Sequence, residues 1–352
     1  MAQEIPKTTK QWKVTGTSGF DDLKLSEVPL PELGDAQVLV KMRAASLNLQ
    51  YRDLIIPKGQ YGFAFSPGVV AGSDGAGEVI AVGKHVKRFK KGDKVVTLFN
   101  QGHLGGDIDR AAAATGLGGA IDGVLRTVGA FDENGLVPLP EGLSFLEGAT
   151  LPCAAVTAWN ALYGLKRLTP GQWVLTQGTG GVSIFGVQFA KAAGARVIAT
   201  TSSADKAKLL EKLGADHIIN YKENPNWGSK VREITNGAGV DHVIEVAGPT
   251  SMAQSLKSIK MEGVISIIGF VGGTQDPNQP GFLENLLRMC TTRGLLVGSR
   301  SQMEEMCRAI EANLDKLRPV IDSKVFKFED LKEAYEYQWS GKHQGKVCIE
   351  IS

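Results

Sequence analysis

The chain is poor in cysteine. Cys153, Cys290, Cys307 and Cys348 are all that its 352 residues contain. None stands in a C-x-x-C pair, so neither zinc-ribbon nor dithiol redox spacing is present. Four scattered thiols in a chain this long make no disulfide framework, and they read as reduced cysteines in a cytoplasmic protein. Long apolar runs are also missing, which argues against a transmembrane helix. The first residues, MAQEIPKTTKQWKV, carry an acid and no apolar core, unlike a secretory signal, and no arginine, unlike a mitochondrial transit peptide. The last, CIEIS, are no peroxisomal address. Neither sign of charge is in excess: 39 Lys and Arg face 37 Asp and Glu, a net charge of +2. That balance offers no electrostatic reason to expect nucleic acid or a membrane as partner.

What is present is the composition of an ordinary globular protein, 43% hydrophobic and 22% charged, long enough for two domains. Glycine is abundant, at 43 residues. Up to about residue 155 the chain reads as short strands broken by Gly and Pro: Val38–Ser46, the glycine-spaced stretch Val69–Val82, and GDKVVTLF. Interior glycines in strands suggest tight bends, as in a compact barrel-like fold. Residues 100–125 show no usable period and read as a surface lobe. From about residue 156 strands and helices alternate. The strands are WVLTQG, ARVIATT, HIINY, HVIEVAG, GVISIIG and GLLVGSR, with helices at 182–193, 204–213, 227–235, 251–260 and 283–292 between them. Six apolar strands separated by helices predict an α/β, doubly wound parallel sheet. A helix from Arg300 to about Leu317 and a strand–helix–strand tail then return to the first domain. The expected domains are 1–155, completed by 301–352, and 156–300.

The sharpest local signal is QGTGGVSIFGVQFAKAAGA, which follows a strand and opens a helix. Gly178, Gly180 and Gly181 stand where a pyrophosphate must approach the backbone, with Thr179 and Val182 beside them. The helix N-terminus then supplies N–H groups. Ser183 replaces the third glycine of G-x-G-x-x-G. After the second strand an NAD site usually carries an acid for the ribose 2′-hydroxyl. Here ATTSSADK has none directly. Ser202, Ser203 and Lys206 instead suit a 2′-phosphate, which favours NADPH. Ser202 and Ser203 also suit a helix cap, and both readings can hold together.

On these residues the chain resembles the medium-chain dehydrogenase/reductase superfamily. The resemblance is carried by PGVVAGSDGAGEVIAVG (Pro67–Gly83), GDKV (Gly92–Val95), ATLPCAAVTAWNAL (Ala149–Leu162) and the glycine turn with its continuation to HIINY. It covers essentially the whole chain. It looks like the zinc-independent quinone oxidoreductase and enoyl reductase branch, nearest to fungal alcohol dehydrogenase-like members. The resemblance implies a GroES-like β-rich catalytic domain plus a Rossmann domain with a six-stranded sheet. It further implies cofactor contacts at Thr157, Tyr221, Gly269, Phe270, Val271, Val297, Gly298 and Lys346. Tyr221 would meet the 2′-phosphate, and Gly269 to Val271 would offer backbone groups to the carboxamide. Lys346 also reads as a solvated charge at a strand start. Zinc-dependent relatives take the metal on a cysteine, a histidine of G-H-E and a later cysteine or acid. In this chain the first position falls in SLNLQYRD, the second reads Gly72-Ser73-Asp74, and only Cys153 is retained. One thiolate cannot replace three protein ligands. The structural-zinc lobe is expected to be empty too, since 99–130 holds no cysteine and His103 reads as a surface loop residue.

The expected chemistry is hydride transfer from NADPH to a quinone or an α,β-unsaturated carbonyl, where delocalised charge needs no Lewis acid. Asn48 or Gln50 stands in the role of the asparagine of N-x-x-D, and Asp53 anchors the local fold. Tyr61 matches the tyrosine that enoyl-thioester reductases place near substrate as proton donor or orienter; it also reads as a residue packed at the cleft mouth. Alternatives are an NADPH-dependent ketone reductase or alcohol dehydrogenase, and a weakly catalytic NADPH-binding sensor. No metal, nucleic-acid or membrane partner is expected. The sixth strand at a sheet edge predicts a homodimer.

Overall fold

A computed structural model describes residues 5–48, 53–59 and 65–352. The chain forms two compact units. One is Met1–Val156 with Gly298–Leu314 and Arg318–Ser352; the other is Thr157–Val297 with Asp315–Leu317. In chain order the described strands are β1 (Thr8–Val14), β2 (Leu23–Pro29), β3 (Gln37–Ser46), β4 (Asp74–Val82), β5 (Lys94–Thr97), β6 (Val128–Asp132) and β7 (Leu136–Pro138). They continue with β8 (Trp173–Gln177), β9 (Arg196–Thr201), β10 (His217–Asn220), β11 (Val240–Glu245), β12 (Ile259–Ile267), β13 (Thr291–Gly294), β14 (Phe326–Lys327) and β15 (Cys348–Glu350).

In the first unit the sheet runs β14-β15-β3-β4-β5-β7, with β6 also on β3 and β1-β2 as a separate hairpin. The two ends of the sequence meet here. Ile349 lies opposite Ala45 in an antiparallel pair, and the Trp12 indole donates to the Phe328 carbonyl at 2.9 Å. The core draws on both ends, including Trp12, Leu23, Met42, Phe326 and Tyr335. The stretch 100–125 differs from its reading as surface. Leu117, Val124 and Leu125 are buried in this core, and His103 is buried with Nε2 at 3.0 Å from the Gly106 carbonyl. Aperiodic apolar residues in a loop can still fill a core; spacing alone does not reveal it.

The second unit is a six-stranded parallel sheet of order β10-β9-β8-β11-β12-β13, the doubly wound order. Every residue of β8 and β11 is buried, as expected of strands covered on both faces. The helices Gly181–Ala192, Ala204–Lys212, Trp227–Ile234 and Pro249–Ser258 fall within a few residues of expectation. The last elements differ. The helix over 283–292 stops at Arg288, because Met289 turns left-handed (φ 48°). The sixth strand is Thr291–Gly294 and not GLLVGSR. Val297 and Gly298 therefore lie beyond the strand that was expected to hold them. The apolar Leu-Leu-Val run misled, since Val297 is buried in a left-handed turn (φ 53°) and not in the sheet. No helix among the described residues is long and apolar enough to cross a membrane.

Candidate functional site

Between β8 and β11 the order of the sheet reverses, and ligands of such sheets bind outside the C-terminal strand ends at this reversal. The glycine turn sits there. Gly178 has φ 75°, a left-handed conformation that only glycine adopts freely, and its N–H donates to the Thr200 carbonyl at 2.7 Å. Gly180 is the N-cap of the helix Gly181–Ala192 and offers no capping side chain. A Cβ on Gly178 or Gly180 would meet nothing within 4 Å. The turn thus keeps open a cradle beside a helix N-terminus, where a dinucleotide pyrophosphate fits. Thr179 is buried beside it. Ser183, in place of the third glycine, is fully buried and donates to the Gln177 carbonyl at 2.6 Å. Close helix–sheet packing passes to Gly186, whose added Cβ would meet Ile244 Cδ1 at 2.5 Å.

The ends of β9 and β10 bring the 2′-side candidates together. Asn220 pairs with Thr201, and the Tyr221 N–H donates to the Thr201 carbonyl at 3.0 Å, so Tyr221 stands beside the start of Ser202-Ser203. Ser203 caps the next helix, its hydroxyl accepting from Lys206 N at 3.4 Å. Tyr221 is substantially exposed, and Asp205 sits in the helix first turn.

Across the reversal, the turn after β12 carries Gly269, Phe270 and Val271. Val271 N–H donates to the Val246 carbonyl at 3.0 Å. It therefore does not serve a carboxamide unless that bond opens. Thr157 is buried in the helix Val156–Tyr163. Val297 is held by Asn160, whose Nδ2 donates to its carbonyl at 2.8 Å; Arg293 in turn donates to Asn160 Oδ1 at 3.0 Å. Asn160 had no signal in the sequence beyond its place in AVTAWN.

In the first unit the structure gathers Asn48, Ser73, Asp74, Cys153 and Lys346. Lys346 is only 4% exposed, which corrects its reading as a solvated charge. Its ammonium donates to Asn48 Oδ1 at 2.7 Å and to the Leu47 carbonyl at 2.8 Å, with Asp74 Oδ2 at 3.7 Å. Asp74 also accepts from Ser73 Oγ (2.7 Å) and Cys153 N (3.2 Å). Burial pushes its carboxyl above the usual range, against the downward pull of Lys346 and the hydrogen bonds. The backbone N–H of Asn48 donates to Asp53 Oδ2 at 2.7 Å, the anchoring expected of Asp53. Tyr61 and Gln50 lie outside the described residues. This donor set does not fit zinc. An ammonium stands against the one carboxylate, a hydroxyl stands for the histidine, and Cys153 is the one thiol of the expected ligand positions. Among the described residues no group of three His, Cys, Asp or Glu is placed to hold a metal.

Two family models match. The alcohol dehydrogenase GroES-like domain covers residues 34–141, and the zinc-binding dehydrogenase model covers 181–312. A zinc-type alcohol dehydrogenase-like protein of Schizosaccharomyces pombe is 49% identical over 340 residues, 95% of this chain and 96% of its own length. Quinone oxidoreductase of Rattus norvegicus is 29% identical over 350 residues, 97% and 98% of the two chains. A solved structure described as an alcohol dehydrogenase of Sinorhizobium meliloti 1021 is 39% identical with a TM-score of 0.90, covering 99% of this chain and 100% of that one. With GroES-like and Rossmann parts matched in order and a relative this similar along nearly its whole length, the chain belongs to the medium-chain dehydrogenase/reductase superfamily, oxidoreductases that use a nicotinamide dinucleotide.

Proposed function

We propose that the protein is an NADPH-dependent, zinc-independent reductase of quinones or α,β-unsaturated carbonyls. The observation that carries this reading is the buried Lys346–Asn48–Asp74–Ser73 cluster, in which an ammonium, an amide and a hydroxyl gather around Asp74 at the G-H-E position where zinc-dependent relatives are expected to hold metal. Without metal donors, no Lewis acid acidifies the hydroxyl of a simple alcohol, whereas a conjugated acceptor spreads the charge that hydride addition creates. The similarity to a quinone oxidoreductase along the whole chain supports the same class.

A bound nicotinamide supplies the hydride; the chain's part is to bind, orient and protonate. Gly178, Thr179, Gly180, Gly181 and Val182 take the pyrophosphate. Ser202, Ser203, Lys206 and Tyr221 take the 2′-phosphate, with no acid at the end of β9 to repel it. Thr157, Gly269, Phe270, Val271, Val297 and Gly298 line the nicotinamide side, and Lys346 is the cation nearest Asn48. Asn48 or Gln50 orients the substrate carbonyl, and the Tyr61 phenol donates the proton that ends the reaction. We also propose a homodimer formed through β13, the sheet edge. Beside it the helix Leu283–Arg288 exposes Leu286 and Leu287, 71% and 70% accessible.

The test is a substrate panel with NADPH and NADH, following loss of nicotinamide absorbance. Turnover of quinones or enones without saturated ketones supports the reading. Comparable turnover of saturated ketones moves the protein to the ketone reductase reading, and tight NADPH binding without turnover of any of them moves it to a sensor.

A further inference from the structure

Glu245 ends β11 and is completely buried. Five neutral donors converge on its carboxylate. Oε1 accepts from Ala247 N (2.9 Å), Gly248 N (2.9 Å) and Ser251 Oγ (2.6 Å). Oε2 accepts from Gln177 Nε2 (2.7 Å) and from Ser255 Oγ. Gln177 is the last residue of β8 and adjoins Gly178. Its Oε1 accepts in turn from Val246 N (3.1 Å) and Ala247 N (3.2 Å).

The Gln177–Glu245 bond therefore joins the two strands between which the sheet order reverses, at their C-terminal ends. From there the bonding continues outward. The Val246 and Ala247 carbonyls accept from Val271 and Gly272 N–H at 3.0 and 2.9 Å, which seats the turn after β12. The closeness is enforced, since a Cβ on Gly248 would meet Phe270 Cα at 2.8 Å. None of the five bonds to Glu245 reaches the turns after β9 and β10. One carboxylate thus ties the pyrophosphate turn to the turns on the β11–β12 side and leaves the other side alone.

We propose that Glu245, clamped to Gln177, is a positioning residue that sets the nicotinamide half of the cofactor site independently of the adenosine half. This rests on the reading of the strand ends as a dinucleotide site. Glu245→Gln places an amide N–H₂ against the Gln177 amide donor and breaks the clamp. The double variant Gln177→Glu with Glu245→Gln reverses the polarity of that bond and allows all five contacts to re-form.

The experiment titrates the full-length protein with NADPH and with 2′,5′-ADP, and in parallel with NADH and 5′-AMP, so that cofactor preference does not enter. In Glu245→Gln the dinucleotide Kd is expected to rise tenfold or more and kcat to fall, while the Kd for the adenosine fragment stays within twofold. The double variant is expected to recover to within threefold of the parent. A parallel loss of dinucleotide and fragment, an unchanged Kd for both, or no recovery in the double variant overturns the proposal. If Glu245→Gln does not fold, Ser251→Ala removes one donor at the partly exposed rim and is held to the same split between dinucleotide and fragment. Failure of the parent protein to bind either dinucleotide would instead overturn the site reading itself.

Discussion

Gly180→Ala separates what the fold needs from what a ligand needs. The residue has φ −73° and ψ 166°, extended backbone open to any amino acid, and its added Cβ meets nothing within 4 Å. Alanine is a poorer N-cap than glycine, at a cost of roughly 0.5–1 kcal/mol. Against this, it narrows the unfolded ensemble and contributes about 0.4–1 kcal/mol. The two nearly cancel, so the melting temperature should move by no more than about 3 °C. Binding behaves differently, because the methyl group enters the open cradle where the pyrophosphate is read to lie. Losing one hydrogen bond to a charged group costs about 1.5–3 kcal/mol, so the NADPH Kd should rise roughly tenfold to 150-fold. Gly178→Ala is the contrast. It also meets no atom, but φ 75° makes any side chain strained, and it should lose about 1–2 kcal/mol of stability. Thermal melts and calorimetric titration of both variants provide the readout. A Gly180→Ala protein that binds NADPH within twofold of the parent refutes the cradle. A fall of 10 °C in its melting temperature refutes the argument from open space.

Lys206→Ala should weaken NADPH at least tenfold while leaving NADH within about threefold, the order of one charge-assisted contact to a 2′-phosphate; equal losses in paired titrations would sink that assignment. His242, buried in β11 with no partner on either ring nitrogen, has its pKa pushed from 6.5 down to about 4, chiefly by burial. The folded state therefore binds the proton less readily than the unfolded one. Stability is complete above about pH 6.5 and falls by about 3 kcal/mol as pH drops to 4. His242→Leu should flatten that part of a pH-dependent urea-unfolding series, and an unchanged slope would contradict the assignment. Elemental analysis of the purified protein should find zinc far below one per chain, with turnover unaffected by a chelator; stoichiometric zinc would overturn the reading of the Lys346 cluster. Leu286→Glu with Leu287→Glu should convert a dimer to monomer in light scattering, and a parent protein that is already monomeric would refute the β13 interface.

Much of the second unit was legible in the sequence because its strands are continuous apolar runs and its turns carry glycine and serine. The continuous apolar character of β8, β9 and β11 and the open turn at Gly178–Gly181 are local properties, set by residues close in the chain. The glutamate inside HVIEVAG carried no signal as a partner, because the strand pattern alone does not mark it as the strand's last residue. Its Gln177 partner lies 68 residues away. The edge strand failed for a related reason. Leu295, Leu296 and Val297 look like strand residues, yet the sheet ends at Gly294, where β12 also ends at Ile267, and Val297 is held left-handed by a distant Asn160.

In the first unit the sequence by itself determined what is missing: no histidine at Ser73, no cysteine in SLNLQYRD, and Cys153 alone retained among the expected zinc-ligand positions. Absence of a residue type needs no geometry to read. Only tertiary structure decided what stands there instead. Lys346 and Asn48 are 298 residues apart, and they meet because β15 from the end of the chain lies on β3 from its beginning. A lysine before the last strand reads as solvated until that pairing buries it against Asn48 and Asp74. Sequence patterns carry backbone periodicity and chemistry, whereas which charges share one buried space depends on the long-range pairing of strands.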